Sequence, residues 1–209
     1  MKSHAITLVV DDDESCLATM CRMLESAGVE ARAFHSIEAL MTGFDAQEVG
    51  CILLDLTFPW SSGLALQEWL REKSPTTPVV YVSGSGSIPS AVQALKLGAV
   101  DFLEKPVGRE KLVATVHKAL EEGTRRREIQ HQAAEVVSRF ESFTAREAEI
   151  ARMLLEGLSS KEIARLLHVS PRTIDHHRSA ILRKMQASNV ADLARKLTLA
   201  AIDLTKRDP

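Results

Sequence analysis

The stretch Ile6–Gly28, ITLVVDDDESCLATMCRMLESAG, holds a short apolar run, four consecutive acids, and Leu17, Met20, Cys21 and Leu24 at helical spacing. An apolar run of this length is the pattern of a buried strand, and the recurrence that ends at Gly28 is that of an amphipathic helix. The unit repeats through the first half of the chain. EARAF (30–34), CILLDL (51–56), VVYVS (79–83) and DFLEK (101–105) read as strands. SIEALMTGF (36–44), LALQEWLREK (64–73), IPSAVQALKLGA (88–99) and REKLVATVHKALEE (109–122) read as helices. Five strands alternating with five helices predict an α/β doubly wound, five-stranded parallel sheet covered on both faces. In such sheets ligands bind at the carboxyl ends of the strands, near the point where the strand order reverses.

The acids after the first strand need a physical reason. Two unit charges about 4 Å apart repel by roughly 4 kcal/mol at an effective dielectric of 20. Either the carboxylates point apart into water, or a cation sits among them. Asp11 and Asp12 follow the first strand and Asp55 lies at the end of the third, so three carboxylates can converge on one oxygen-rich pocket. Hard oxygen ligands with room for water suit Mg2+ or Mn2+. Ser83 closes the next strand and Lys105 the last, just before Pro106. A metal, a hydroxyl and an ammonium at successive strand ends suit phosphoryl transfer to a carboxylate. Asp13 and Glu14 read as solvated acids at a helix start, where they favour the macrodipole.

The chain has 209 residues, 45% hydrophobic and 26% charged, enough for one large or two small domains. No apolar run approaches the length of a membrane span, and MKSHAITLVVDDD is not a secretory signal, so a cytoplasmic location is expected. Cys16, Cys21 and Cys51 form no CxxC pair and are expected to be buried as small hydrophobes. The net charge of −2 is unevenly spread. Residues 1–122 carry 10 basic against 17 acidic side chains, and residues 123–209 carry 16 against 11. Acidic and basic halves predict two domains with different partners, the basic one compatible with nucleic acid.

The second half has no strand pattern. SRFESFTAREAEIARMLLEGL, SSKEIARLLHV, SPRTIDHHRSAILRKM and SNVADLARKLTLAAI read as four mostly helical segments, a small all-α domain. Thr144 with Glu147 and Ser159 with Glu162 fit capping boxes, and Ser170-Pro171 fits a cap followed by proline at the first helical position. Ile150, Met153, Leu154, Ile163, Leu166, Leu167, Ile174, Ile181 and Leu182 are the expected core. Residues 123–141, with the Arg125–Arg127 run, read as a solvated helical linker, its continuity with the preceding helix left open.

VVDDDE, LLDLTFPWSSG, VSGSGS and AVDFLEKP resemble, in order and spacing, the receiver domain of two-component response regulators, over about residues 5–122. The resemblance implies a flavodoxin-like fold in which Asp55 is the phosphoryl acceptor. It makes Asp12 a direct ligand of Mg2+ (or Mn2+), Asp11 a ligand through water and the Thr57 backbone carbonyl another ligand. Ser83 and Phe102 match the hydroxyl and aromatic switch positions, and Lys105-Pro106 a pair usually joined by a cis peptide bond. In the loop after Asp55 such domains often read close to M-P-x-M-S-G, where this chain has Phe58-Pro59-Trp60-Ser61-Ser62-Gly63, with the large Trp60 beside a site that must admit a phosphodonor. Ser85 and Ser87 stand where His and Asp are frequent.

FTAREAEIARMLLEGLSSKEIARLLHVSPRTIDHHRSAILRKM resembles the LuxR/NarL type of DNA-binding domain, over about residues 142–205, in its T-x-R-E start, G-x-S-x-K-E-I-A turn and S-P-R-T-I opening. The whole chain thus resembles a FixJ-type response regulator, with a receiver at 1–122, a linker at 123–141 and a helix-turn-helix domain at 142–209. The resemblance implies a sensor histidine kinase, double-stranded promoter DNA and RNA polymerase as partners. Phosphorylation is expected to promote a homodimer through the surface between Ile88 and Leu120, Phe102 and Ser83 relaying the charge; a preformed dimer through 121–141 is the alternative.

On the recognition helix, Asp175, His176 and Ser179 share a face suited to base edges, while Lys161, Arg172, Thr173, His177 and Arg178 suit phosphates. Asp175 has two readings: accepting from a cytosine amino group, or holding Arg172 or Arg178 at three-residue spacing. Adjacent histidines on a helix diverge by about 100°, which disfavours a metal pair at His176-His177. Arg183-Lys184 reads equally as a solvated face or a contact. Two other functions share these features. A Mg2+-dependent phosphohydrolase would use Asp55 as nucleophile, but Thr57 stands where a second acid is wanted. A phosphorylation-independent interaction module would use Trp60 as its anchor. The expectation is a regulator and not an enzyme.

Overall fold

The computed structural model describes residues 5–56, 66, 69–70, 72–84, 92, 94–96 and 98–202. Thr57, Trp60, Ser85, Ser87 and Ile88, and half of the residues of each helix expected at 64–73 and 88–99, lie outside the described residues. Two compact units divide the chain, Met1–Arg127 and Glu128–Pro209.

In the first unit β1 (Ile6–Val10), β2 (Ala31–Phe34), β3 (Val49–Asp55), β4 (Val79–Ser83) and β5 (Asp101–Glu104) form one sheet in the order β2-β1-β3-β4-β5. Every pairing is parallel. Strand residues alternate between faces, and both faces are covered. Leu8, Val10, Ile52, Leu54 and Tyr81 pack on one face with Ile37 and Leu40 of α2 (Ile37–Thr42), joined by Leu66, Leu70 and Ala94. Val9, Cys51, Leu53, Val80 and Val82 pack on the other with Leu17 and Leu24 of α1 (Glu14–Glu25) and Leu112 and Val116 of α3 (Arg109–Glu141). The two edge strands mix exposed residues into their patterns, Arg32 in β2 and Glu104 in β5, as edge strands tolerate. Cys51 is buried and its thiol is pushed up to about 12 by desolvation, while Cys16 and Cys21 are partly buried; none forms a disulfide.

The helix expected to close at residue 122 runs on without a break to Glu141, which settles the continuity of the linker. Gly123 falls inside it, where glycine costs about 1 kcal/mol of helix propensity. Its compensation is close approach: a Cβ there would lie 2.9 Å from the Gly50 carbonyl oxygen and 3.0 Å from Pro78. The solvated reading of the linker holds for its middle and not for its end. Val136 and Phe140 are buried in the core of the second unit, beside Phe143.

That unit continues with α4 (Ala145–Leu155), α5 (Ser160–Leu166), α6 (Pro171–Lys184) and α7 (Val190–Leu199). Both expected capping boxes form, Ser170 caps α6 with Pro171 at its start, and Asn189 caps α7. Gly157, at φ 88°, makes the turn between α4 and α5 in a backbone region that favours glycine. Ile150, Leu154, Ile163, Ile174 and Ile181 are buried as expected, and Met153, Leu167 and Leu182 pack partly buried beside them. Leu166 is the exception, at 58% exposure. It ends the short α5 on the outward side, and the core is completed instead by Met185, Leu193 and Leu197.

Candidate functional site

The reversal of strand order falls between β1 and β3, whose registered pair Val10 and Leu54 places the next residues, Asp11 and Asp55, side by side at the strand ends. Both are buried, whereas Asp12 is exposed. Carboxylate oxygens of the three lie within 4.8 Å of one another, the only such acidic or metal-ligating cluster among the described residues. Lys105, at the end of β5, bridges two of them: its Nζ donates to Asp11 Oδ2 at 2.5 Å and to Asp55 Oδ2 at 2.7 Å. Burial by itself would lower the Lys105 ammonium, but the hydrogen bonds and charges of Asp11 and Asp55 outweigh it and raise the group above the ordinary lysine range. The Lys105-Pro106 bond is cis.

The donor set fits a hard divalent cation, since each carboxylate presents an oxygen to one small volume and the exposed Asp12 leaves a solvent side for water ligands. One ammonium against three carboxylates leaves the pocket net negative, which is the condition that attracts such a cation. Asp13 has a task that the sequence reading missed. It caps α1, accepting from the backbone N–H groups of Ser15 and Cys16, and these hydrogen bonds hold its carboxyl below the usual range. Its own N–H donates to Asp11 Oδ1 at 3.0 Å, so the cap also orients a site carboxylate. Ser83 is buried at the end of β4, and Phe102 lies half-buried on β5 against the core. Thr57 lies outside the described residues.

In the second unit α5 and α6 form a helix-turn-helix. The side chains of Lys161, Arg172, Thr173, Asp175, His176 and Ser179 are exposed, and those of His177 and Arg178 are half-buried. Among the described residues Lys161, Arg172 and Arg178 are in no ion pair, which leaves three cations available to a polyanion. The His176 and His177 rings stand 6.5 Å apart at 71°, and no third metal-ligating side chain joins them among the described residues. Asp175 holds neither arginine. Its Oδ1 accepts from the Ser160 hydroxyl of α5 at 2.7 Å, a partner fifteen residues away that helical spacing could not reveal.

Lys184 is no solvated cation either. Its Nζ donates to Glu147 Oε2 at 2.6 Å and to the Ser142 carbonyl at 2.9 Å, tying the end of α6 to the start of α4. Glu147 is thereby both a capping-box acid and a tertiary contact. Burial would raise its carboxyl, but the hydrogen bonds from Lys184 and Thr144 prevail and hold it below the ordinary range. A lowered folded value means that the contribution is present at neutral pH and is lost as pH falls through that value. Glu147→Gln keeps the acceptor and removes the charge, so it should cost about 1 kcal/mol at pH 7. In urea unfolding at a series of pH values the gap from wild type should narrow below pH 4.5, the ordinary glutamate value. A gap independent of pH would show that the charge does not matter.

Residues 7–117 match the family of response regulator receiver domains, and residues 141–197 match the luxR family of bacterial regulatory proteins. The chain is 34% identical to the response regulator protein TmoT of Ectopseudomonas mendocina over 192 residues, which covers 92% of this chain and 87% of that one. It is 33% identical to the transcriptional regulatory protein FixJ of Bradyrhizobium diazoefficiens, covering 90% and 91% of the two chains. Among solved structures, that of the response regulator StyR is similar with a TM-score of 0.76 at 31% identity, covering 93% of this chain and 98% of that one.

Proposed function

Because the chain belongs to the response regulators, with a receiver domain followed by a LuxR-type DNA-binding domain, we propose that phosphorylation of Asp55 switches its dimerisation and promoter binding. The observation that carries this reading is the convergence of Asp11, Asp12 and Asp55 with Lys105 at the switch point of a parallel sheet. In it, a receiver at 1–122 and a DNA-binding domain at 142–209 are joined by the helical linker 123–141.

An Asp55 carboxylate oxygen attacks the phosphorus of a phosphohistidine on the sensor kinase. The P–N bond breaks, its electron pair leaves with the imidazole, and an acyl phosphate forms on Asp55. Mg2+ or Mn2+, held by Asp11, Asp12, Asp55 and the Thr57 carbonyl, would neutralise the phosphoryl oxygens. Lys105, 2.7 Å from Asp55, supplies a second positive charge, and the Ser83 hydroxyl donates to a phosphoryl oxygen. Phe102, half-buried beside the core, carries the change toward the dimer surface. The relatives named as regulators support a non-enzymatic role for the chain as a whole.

On DNA, Lys161, Arg172, Thr173, His177 and Arg178 meet phosphates while His176 and Ser179 face bases, and the bound protein recruits RNA polymerase. A dimer presents two such helices to two half-sites, which makes the second contact effectively intramolecular. No helix among the described residues is long and apolar enough to cross a membrane; a promoter-binding role places the protein in the cytoplasm. The test compares full-length protein with and without acetyl phosphate and Mg2+, on duplexes selected from random sequence and by sedimentation. Phosphorylation should raise selective binding and the dimer fraction, and identical results in both states would reject the switch. Arg172→Ala should weaken all sequences nearly uniformly and reduce the salt slope by about 1.

A further inference from the structure

At about 100° per residue, α6 has one inward side, one outward side and two flanks. Ile174 and Ile181 point inward and are fully buried. Arg172, His176, Ser179 and Arg183 lie opposite them and are exposed. Asp175 occupies the flank between, where the Ser160 hydroxyl reaches it from α5. Lys184 occupies the other flank, on Glu147 and Ser142. Each flank of the recognition helix is therefore fastened to a different element.

We propose that Asp175 is a positioning residue: through Ser160 it fixes the roll of α6 so that His176 and Ser179 address the base edges, and it reads no base itself. This rests on α6 being the base-contacting helix. His176 is the next residue, and Ser179, one turn on, is itself tied to Asp175 by a hydrogen bond from its hydroxyl to the Asp175 carbonyl at 2.9 Å. A roll of about 20° moves a side-chain tip about 5 Å from the helix axis by nearly 2 Å, more than a base hydrogen bond tolerates. A carboxylate turned outward toward phosphates would be repelled; turned to Ser160 it keeps its charge at the rim and uses its oxygen within the fold.

The experiment uses phosphorylated full-length protein and a duplex that wild type selects from random sequence, with its complete set of single-base variants at fixed salt. Ser160→Ala and Asp175→Ala should each lower discrimination at the same base pairs by on the order of ten-fold, and the double variant should lose no more than either. Asp175→Asn retains an acceptor for Ser160 and removes a negative charge, so it should keep the base preference while binding every sequence more tightly. A single base pair relaxed by Asp175→Ala but untouched by Ser160→Ala would overturn the proposal, because Asp175 would then be the reader. A lowered melting temperature with an unchanged base preference would overturn it as well, leaving a merely structural contact. Wild type that selects no sequence would overturn the reading of α6 itself, and the positioning role with it.

Discussion

Asp55→Asn is expected to abolish the gain of phosphoryl mass that wild type shows after incubation with acetyl phosphate and Mg2+. The amide keeps the shape at the end of β3 but is a far poorer nucleophile, and it removes one of the three carboxylates that converge there. Labelling should fall by on the order of 10²-fold or more. Chelation of divalent ions in the wild type should produce a similar loss, because two further carboxylates would then face the incoming phosphoryl group with only Lys105 opposing them. Intact-mass spectrometry reads both results, and circular dichroism checks that the variant is folded. Labelling of the Asn variant at the native rate would move the acceptor to another residue. Asp11, buried beside Lys105, would be the first to examine.

Lys105→Met is expected to cost roughly 3 kcal/mol of stability when divalent ions are absent. Its ammonium is the positive group shared by Asp11 and Asp55, and its side chain is 18% exposed against 0% and 7% for theirs. Methionine fills much of the same volume but leaves two adjacent carboxylates facing each other in a poorly solvated pocket. Mg2+ should recover part of that loss. A cation that binds only the folded protein stabilises it in proportion to its affinity, and the variant's more negative pocket should bind it more tightly. Urea unfolding with and without Mg2+ checks both statements. Equal stability of wild type and variant without the metal would show that desolvation of Lys105 cancels its attraction to the two acids. Slower phosphorylation is the expected companion, since one positive charge beside the acceptor is gone.

Much of the receiver site could be read before any coordinate was known, for a topological reason. In a parallel sheet all strands end on the same side, so Asp11, Asp12, Asp55, Ser83 and Lys105 at strand ends must share an edge. The pairing of Lys105 with Asp11 and Asp55 was out of reach, because those partners are 94 and 50 residues away. The same limit hid Asp175. Helical spacing offered Arg172 and Arg178, both on its own helix, while the partner in the fold is Ser160. Leu166 failed for a related reason: its apolar character matched a core position, yet which way a seven-residue helix turns its last residue depends on what packs against it.

Local periodicity and capping chemistry therefore determined most of the elements: strands with apolar or mixed runs, helices capped at Thr144, Ser159 and Ser170, and a break at Gly157. These depend on residues one turn or two positions apart, and such spacings are written in the chain itself. The tertiary structure decided the unbroken course of α3, where the tight fit of Gly123 against Gly50 and Pro78 offsets a glycine inside a helix. It also decided which charges are held and which remain free for ligands. Lys184 is taken by Glu147, Asp175 by Ser160 and Lys105 by two acids, whereas Lys161 and Arg172 stay exposed. A charge's partner is set by distance in space, and for side chains separated by fifteen to ninety-four residues only the packing of the cores between them fixes that distance.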